Sequence, residues 1–289
     1  MPDVLPASET KHLTLLHHPI PCSDILLQLR QRSIGENLKP DNETLSIGAT
    51  TRHVKHEGTG TTGTTLWLGA QVLACYLVSA LPRVLPVPFG GRSTRGRVLE
   101  LGSGTGYLSL VLASMGYTVL STDIEPVLST VLKPNVEAGL HQIRASANGS
   151  NGLIVVQNLD WTLDDDAIAG ERFDMILMSD TIYLSDLNPH LFGTLRKVSL
   201  EGKAPMVYLA LERRDSAAVD SALTIAQEMG FNLKRVAHTR VVKAVDGAGW
   251  GWDEQGWEDV EVWKGKWEGQ AKKSRHRGQD GVPCEHASS

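Results

Sequence analysis

The stretch Val98-Leu99-Glu100-Leu101-Gly102-Ser103-Gly104-Thr105-Gly106-Tyr107 decides the fold of this 289-residue chain. A short apolar run enters a glycine-rich turn, and an apolar, helix-like segment follows from Leu108 to Met115. A second short run, Tyr117 to Thr122, then ends in Asp123. Strand, glycine turn, helix, strand and carboxylate make half of a nucleotide-binding α/β unit. Glycines at 102, 104 and 106 let the backbone turn tightly and approach a ligand where a Cβ would clash. Asp123 falls where a carboxylate accepts both hydroxyls of a ribose.

The spelling of the turn narrows the ligand. A dinucleotide-binding turn reads G-x-G-x-x-G, whereas this one reads E-x-G-x-G-x-G. Glu100, at the strand end, would repel a pyrophosphate and suits a cationic ligand without phosphate. S-adenosylmethionine, with an adenosine, a sulfonium and an amino acid, meets that description. Taken alone, the glycines are also compatible with a plain tight turn; Glu100 before them and Asp123 after them favour the ligand.

Composition excludes several classes. Hydrophobic residues are 41% of the chain, ample for a buried core, and the net charge of −5 offers no electrostatic footprint for nucleic acid. No apolar run approaches a membrane span, and the start of the sequence lacks a signal-peptide pattern. Cys22, Cys75 and Cys284 are odd in number and far apart, which gives neither a disulfide framework nor a zinc site and points to a reducing compartment, the cytoplasm. The ten histidines show no metal-ligand spacing, so no metal is expected.

Residues 1–42 mix Pro, His and Ser with one apolar stretch, Asp24 to Leu29, and read as a partly ordered arm. Thr44–Ile47 and Arg52–His56 read as a small hairpin. Leu66 to Ala80 has helical spacing of apolar residues, and Leu81 to Arg97 reads as a loop. The α/β alternation then runs through strands near 97–101, 118–122, 153–157, 173–178, 205–211 and 231–239. Helices are expected over 106–115, 126–138, 189–199 and 215–229, with a loop at 141–152 and a final strand within 257–263. Parallel strands joined by crossover helices imply a sheet covered on both faces. The domain is expected over 43–268, followed by a polar, basic, disordered tail from 269 to 289.

Three further features sit where a methyl-donor site needs them. Asp160-Trp161 follows the third strand: the carboxylate can accept the adenine amino group and the indole can stack on the base, worth about 1–3 kcal/mol. They also fit a surface Asp and a core Trp. Ser179-Asp180-Thr181-Ile182-Tyr183 follows the fourth strand, at the carboxyl end where open α/β sheets bind ligands. Asp180 also fits a cap of the next helix, and Tyr183 a core aromatic. Trp67, at the start of the helix before the α/β core, is compatible with closing over the ligand or with anchoring the core.

With these pieces together, the chain resembles the seven-strand S-adenosylmethionine-dependent protein-lysine methyltransferases of the D-x-x-Y group, often called methyltransferase family 16. The matching residues are Gly63-x-x-x-Trp67-x-Gly69-Ala70, Glu100-Leu-Gly-x-Gly-x-Gly106, Thr122-Asp123, Asp160-Trp161 and Asp180-x-x-Tyr183, across roughly residues 43 to 240. The resemblance implies a Rossmann-like, mostly parallel seven-strand sheet with its last strand antiparallel. It implies methylation of a lysine on a cytosolic protein, commonly a translation factor, ribosomal protein or chaperone. Carried over, it places Trp67, Gly102, Ser103, Gly104, Asp123, Trp161 and Ser179 around the cofactor, with Glu100 and Asp160 supporting it, and Asp180 and Tyr183 at the methyl-accepting mouth. A monomer acting on a protein that presents a lysine is expected. A small-molecule methyltransferase on the same fold and a non-catalytic cofactor-binding scaffold are the alternatives.

Three departures concern the substrate: the low-complexity segment 141–152, the long N-terminal arm, and the end of the domain, where five of the seven tryptophans gather among acids. Those tryptophans read either as packing or, with Asp253, Glu254, Glu258, Asp259 and Glu261, as an edge that attracts a basic surface.

Overall fold

The central strands alternate strictly, and that alternation builds the domain. In the computed structural model, which describes residues 4–32, 62–83, 96–146, 152–163 and 167–269, strand β3 (Arg97–Leu101) sends Val98 to one face and Leu99 and Leu101 to the other. Strand β6 (Met175–Ser179) divides Met175 and Leu177 from Ile176 and Met178 in the same way, and β7 (Met206–Glu212) divides Tyr208 and Ala210 from Val207, Leu209 and Leu211. Each face therefore meets its own helices. One is covered by α2 (Leu68–Ala80), α3 (Tyr107–Ser114) and α7 (His238–Gly247), the other by α5 (Asn188–Leu200) and α6 (Ser216–Glu228). Strands β4 (Thr118–Asp123) and β5 (Leu153–Asn158) extend the sheet past β3, and α4 (Lys133–Ala145) connects them.

The seven strands run in the order β5-β4-β3-β6-β7-β9-β8, where β8 is Phe231–Arg235 and β9 is Val260–Trp267. Pairings from β5 to β7 are parallel, and β9 lies antiparallel between β7 and β8, as the sequence predicts for the last strand. Chain order reverses between β3 and β6. That switch point leaves a crevice at the carboxyl ends of the strands, where ligands of such sheets bind.

Several boundaries differ from the sequence reading. The segment read as a partly ordered arm folds over its described part into a short helix, α1 (Ala7–Thr10), and an antiparallel hairpin of β1 (Leu15–Pro19) and β2 (Leu26–Arg30). Leu16, Ile20, Leu27 and Leu29 are buried in the same core as α2 and α3. Helix α4 runs on to Ala145, into the expected loop. The strand expected to 239 stops at Arg235, and α7 follows, burying Val241, Ala244 and Val245 at helical spacing. The hairpin expected within 44–56 and the tail beyond 269 lie outside the described residues. No described helix is long and apolar enough to cross a membrane.

The C-terminal tryptophans pack. Trp257 is buried, Trp250 sits edge-on to buried His18, and the Trp252 indole donates to the Val4 carbonyl at 2.6 Å. Glu261 is likewise no part of a surface that attracts a substrate. It is buried and paired with Arg213 at 2.8 Å and Arg235 at 3.0 Å, and the Trp263 indole donates to it at 2.9 Å.

Candidate active site

The glycine turn follows β3 and enters α3. Gly102, Gly104 and Gly106 all have positive φ, a region L side chains seldom occupy. A Cβ on Gly102 would stand 3.0 Å from Thr181 Cγ2 and 3.2 Å from the Trp161 ring. The turn, the end of β6 and the segment after β5 thus close on one another at the switch point. A Cβ on Gly104 would meet the Gly63 carbonyl oxygen at 3.0 Å, so the approach to α2 lies across the same turn.

Asp123 ends β4 facing that turn. One carboxylate oxygen accepts the Gly104 amide at 2.7 Å, and the other accepts the Ile124 amide at 2.8 Å. Burial raises its pKa to about 6 against the opposing pull of those amides. Each oxygen keeps a lone pair for a further donor. Ser103 ties the turn to β4: its amide donates to the Thr122 carbonyl at 2.9 Å, and its hydroxyl accepts the Thr122 amide at 3.1 Å. The Glu100 carboxylate points inward rather than to the crevice, because strand alternation turns it toward α3, where it accepts the Ser109 hydroxyl. Burial raises its pKa to about 7. Glu100 braces the turn from below, and its charge is not presented to a ligand.

Asp180 follows β6 with φ of 52°, in the left-handed region. Its amide donates to the Ala210 carbonyl at 2.9 Å, which fixes the residue to β7. Asp180 is partly buried, with its carboxylate against the first turn of α2, and the buried Oδ2 has no hydrogen-bond partner. Its pKa rises to about 7, first through burial and then through the charge of Glu212; Arg214 and the amides of Glu212 and Gly69 oppose the rise. The helix following Asp180 is instead preceded by Leu184 with no side-chain cap, so Asp180 is not a helix cap. Thr181 Oγ1, beside it, is also buried without a partner.

Tyr183 is 44% exposed and is not a core aromatic. Partial burial and the Asp123 charge raise its phenol pKa, against a hydrogen bond with Thr62. Trp67 immediately precedes α2, and its indole donates to the Thr62 carbonyl at 2.7 Å. Ser179 is the last residue of β6, paired with Ala210. Asp160 uses Oδ1 for a turn, accepting the Thr162 amide at 2.9 Å and hydroxyl at 2.7 Å. Sequence reasoning missed Thr181, Glu212 and Arg214. The rule that sites gather at the carboxyl ends of parallel strands, applied to β6 and β7, reaches all three.

A doubly wound, mostly parallel seven-strand sheet, with a glycine turn and a strand-end carboxylate at its switch point, defines a Rossmann-like protein of the methyltransferase class. The family model described as lysine methyltransferase matches residues 49–225, more than half of the chain, and the chain belongs to that family. It is 37% identical over 103 residues to the protein N-lysine methyltransferase METTL21A of Danio rerio, covering 36% of this chain and 44% of that protein. It is 29% identical over 161 residues to the EEF1A lysine methyltransferase 3 of Mus musculus, covering 51% of this chain and 64% of that protein. It is 32% identical over 151 residues to the methyltransferase-like protein 22 of Mus musculus, covering 47% of this chain and 35% of that protein. The matches thus span from about a third to just under two thirds of those relatives' lengths.

Proposed function

We propose that this protein transfers a methyl group from S-adenosylmethionine to the ε-amine of a lysine on a cytosolic protein, acting as a monomer in the cytoplasm. The observation that carries the reading is the buried, unpartnered Asp180 Oδ2 at the switch point, beside a glycine turn faced by Asp123 and Trp161. The residues fit the cofactor. Spare lone pairs on Asp123 suit two ribose hydroxyls, the Trp161 ring against Gly102 suits a base, and the bare turn admits close approach. The relatives' printed names support a protein lysine as acceptor.

When bound, S-adenosylmethionine supplies a methyl group already activated by its sulfonium. The chain's task is alignment, together with removal of a proton from the acceptor. A free lysine has a pKa near 10.4, so it must become neutral before attack. Asp180 orients the amine through its carboxylate and takes up its proton, for which a pKa near neutrality suits it. Tyr183 walls the channel and offers its hydroxyl to the amine. Asp123 and Ser103 hold the turn, while Asp160 and Trp161 frame the base.

Incubation with labelled S-adenosylmethionine and a cytosolic lysate tests the proposal. Label in a protein band, absent with Asp180→Asn, is expected. Label only in small molecules would move the function to another methyltransferase class, and no label at all would leave a binding protein.

A further inference from the structure

One lysine of the chain itself stands at this mouth. Lys11 follows α1, and its Nζ lies 3.9 Å from the centroid of the Trp67 ring. The Arg214 guanidinium lies 4.8 Å from the same centroid and pairs with Glu212. Asp180 and Glu212 face Lys11 with negative charge, and Arg214 faces it with positive charge. The ammonium thus sits among residues at the carboxyl ends of β6 and β7, against the ring that opens α2.

Its placement is built rather than incidental. The Gln31 side-chain amide donates to the carbonyls of Thr10 and Leu13, both at 3.0 Å, and so clamps the chain on either side of Lys11. On α2, the Gln71 carbonyl accepts the Ala7 amide at 2.7 Å, and its amide donates to the Leu5 carbonyl at 3.2 Å. These bonds tie α1 to the helix that carries Trp67. An ammonium over an indole is held by the quadrupole of the ring, as an incoming lysine would be. Burial and Arg214 also lower the pKa of Lys11, which favours the neutral amine that attack requires.

We infer that Lys11 is a self-methylation site: held on Trp67, it is the intramolecular acceptor for the methyl group in the absence of another protein. The inference rests on the proposed methyltransferase reading. In the step, the neutral Lys11 amine forms the N–C bond, and the S–C bond breaks with its electron pair returning to sulfur. The ammonium proton has already left to Asp180 or water, and the products are methyllysine and S-adenosylhomocysteine.

The experiment uses the full chain in two arms. In the first, protein and S-adenosylmethionine are incubated with and without lysate, and the peptide bearing Lys11 is weighed. A methyl mass on Lys11, absent in Asp123→Ala and Lys11→Arg, gained at a rate unchanged by dilution, is expected. Labelled lysate protein, with Lys11 unmodified in the incubation without lysate, would overturn this inference alone, whereas absence of both labels would refute the methyltransferase reading beneath it. A rate that falls on dilution would place the acceptor on a second copy and overturn the intramolecular assignment. The second arm needs no cofactor: lysines are acetylated chemically, and Lys11 is compared with exposed Lys243. Because the amine packs on the ring, acetylation of Lys11 severalfold slower than of Lys243 is expected despite the lowered pKa, and faster acetylation of Lys11 in Trp67→Ala. Equal rates at Lys11 in the parent and in Trp67→Ala would show that the ring does not hold the amine and would overturn the proposal.

Discussion

Gly69 and Gly193 both lie in helices, and replacing each with alanine should have opposite effects. Alanine in place of a helical glycine normally stabilises by about 0.5–1 kcal/mol, because glycine loses more backbone freedom on folding. At Gly193, in α5, a Cβ would find nothing within 4 Å, so Gly193→Ala should show that gain. For a domain of this size it corresponds to a rise of about 1–4 °C in Tm. At Gly69, in the first turn of α2, a Cβ would stand 2.8 Å from Asp180 Cγ and Oδ1 and closer still to Oδ2, whereas real Cβ contacts essentially never fall under 3.0 Å. The carboxyl group cannot swing away easily, because Asp180 sits in the left-handed region with its amide bound to Ala210. Overpacking of this kind costs about 1–3 kcal/mol, which offsets or exceeds the helical gain. Gly69→Ala should therefore leave Tm unchanged or lowered, keep cofactor affinity, and reduce methyl transfer at least about tenfold by displacing Asp180. Thermal melts, calorimetry with S-adenosylmethionine and a turnover assay read the three quantities. A Gly69→Ala protein that gains stability like Gly193→Ala and turns over at the parental rate would refute the placement of Asp180 against α2 and its part in the reaction.

Asp123→Ala should bind S-adenosylmethionine at least about tenfold more weakly by calorimetry, since hydrogen bonds to charged groups are worth about 1.5–3 kcal/mol each, while circular dichroism stays native. Asp180→Asn should keep cofactor affinity within about threefold, a difference under about 1 kcal/mol, and lose on the order of a hundredfold in turnover, with Tyr183→Phe losing less. Unfolded Asp180 releases its proton near 3.8, whereas the folded protein holds it to about 7, so its contribution to stability is lost as pH rises through that window. Asp180→Asn should accordingly gain stability relative to the parent between about pH 5 and pH 8 in denaturant melts, and a gap independent of pH would contradict the burial argument. Glu261→Gln should lower Tm by several degrees through weakened bonds to Arg213 and Arg235, worth about 1.5–3 kcal/mol, and leave the KM for protein substrate unchanged. A raised KM would return Glu261 to substrate recognition.

The core of the fold was legible because the strands around the switch point alternate without exception and the glycine turn has a single geometric purpose. The place of residues 179–183 at the end of β6 was legible because the apolar run before them stops there. Residues 236–239 were misread as strand and the helix that follows was not expected, because Val236 favours strand locally, while packing of Val241, Ala244 and Val245 on the core favours helix and wins. The N-terminal hairpin was hidden by polar residues at inward positions: His18 is buried with its pKa lowered to about 3 by desolvation, a state composition does not announce. Glu261 looked like surface because nothing local indicates that Arg213 and Arg235, distant in sequence, converge on it. The environment of Lys11 depends on Gln31 and Gln71, which carry no motif.

The antiparallel insertion of β9 between β7 and β8 also sets an order of assembly. Among the described strands β8 hydrogen-bonds only to β9, and β7 gains its second neighbour only from β9. On the ribosome, β3 to β7 emerge and can pair while one long edge stays bare. Such an edge templates pairing with other chains. The last of the described strands covers it, setting Val260 opposite Glu212 and Glu261 opposite Leu211. The crevice can therefore fold early on its β3 side, but its β7 side, with Glu212 and Arg214, is fastened only once β9 has been made. A nascent chain stalled after α7 would be an open sheet, a natural client for chaperones rather than a partial enzyme.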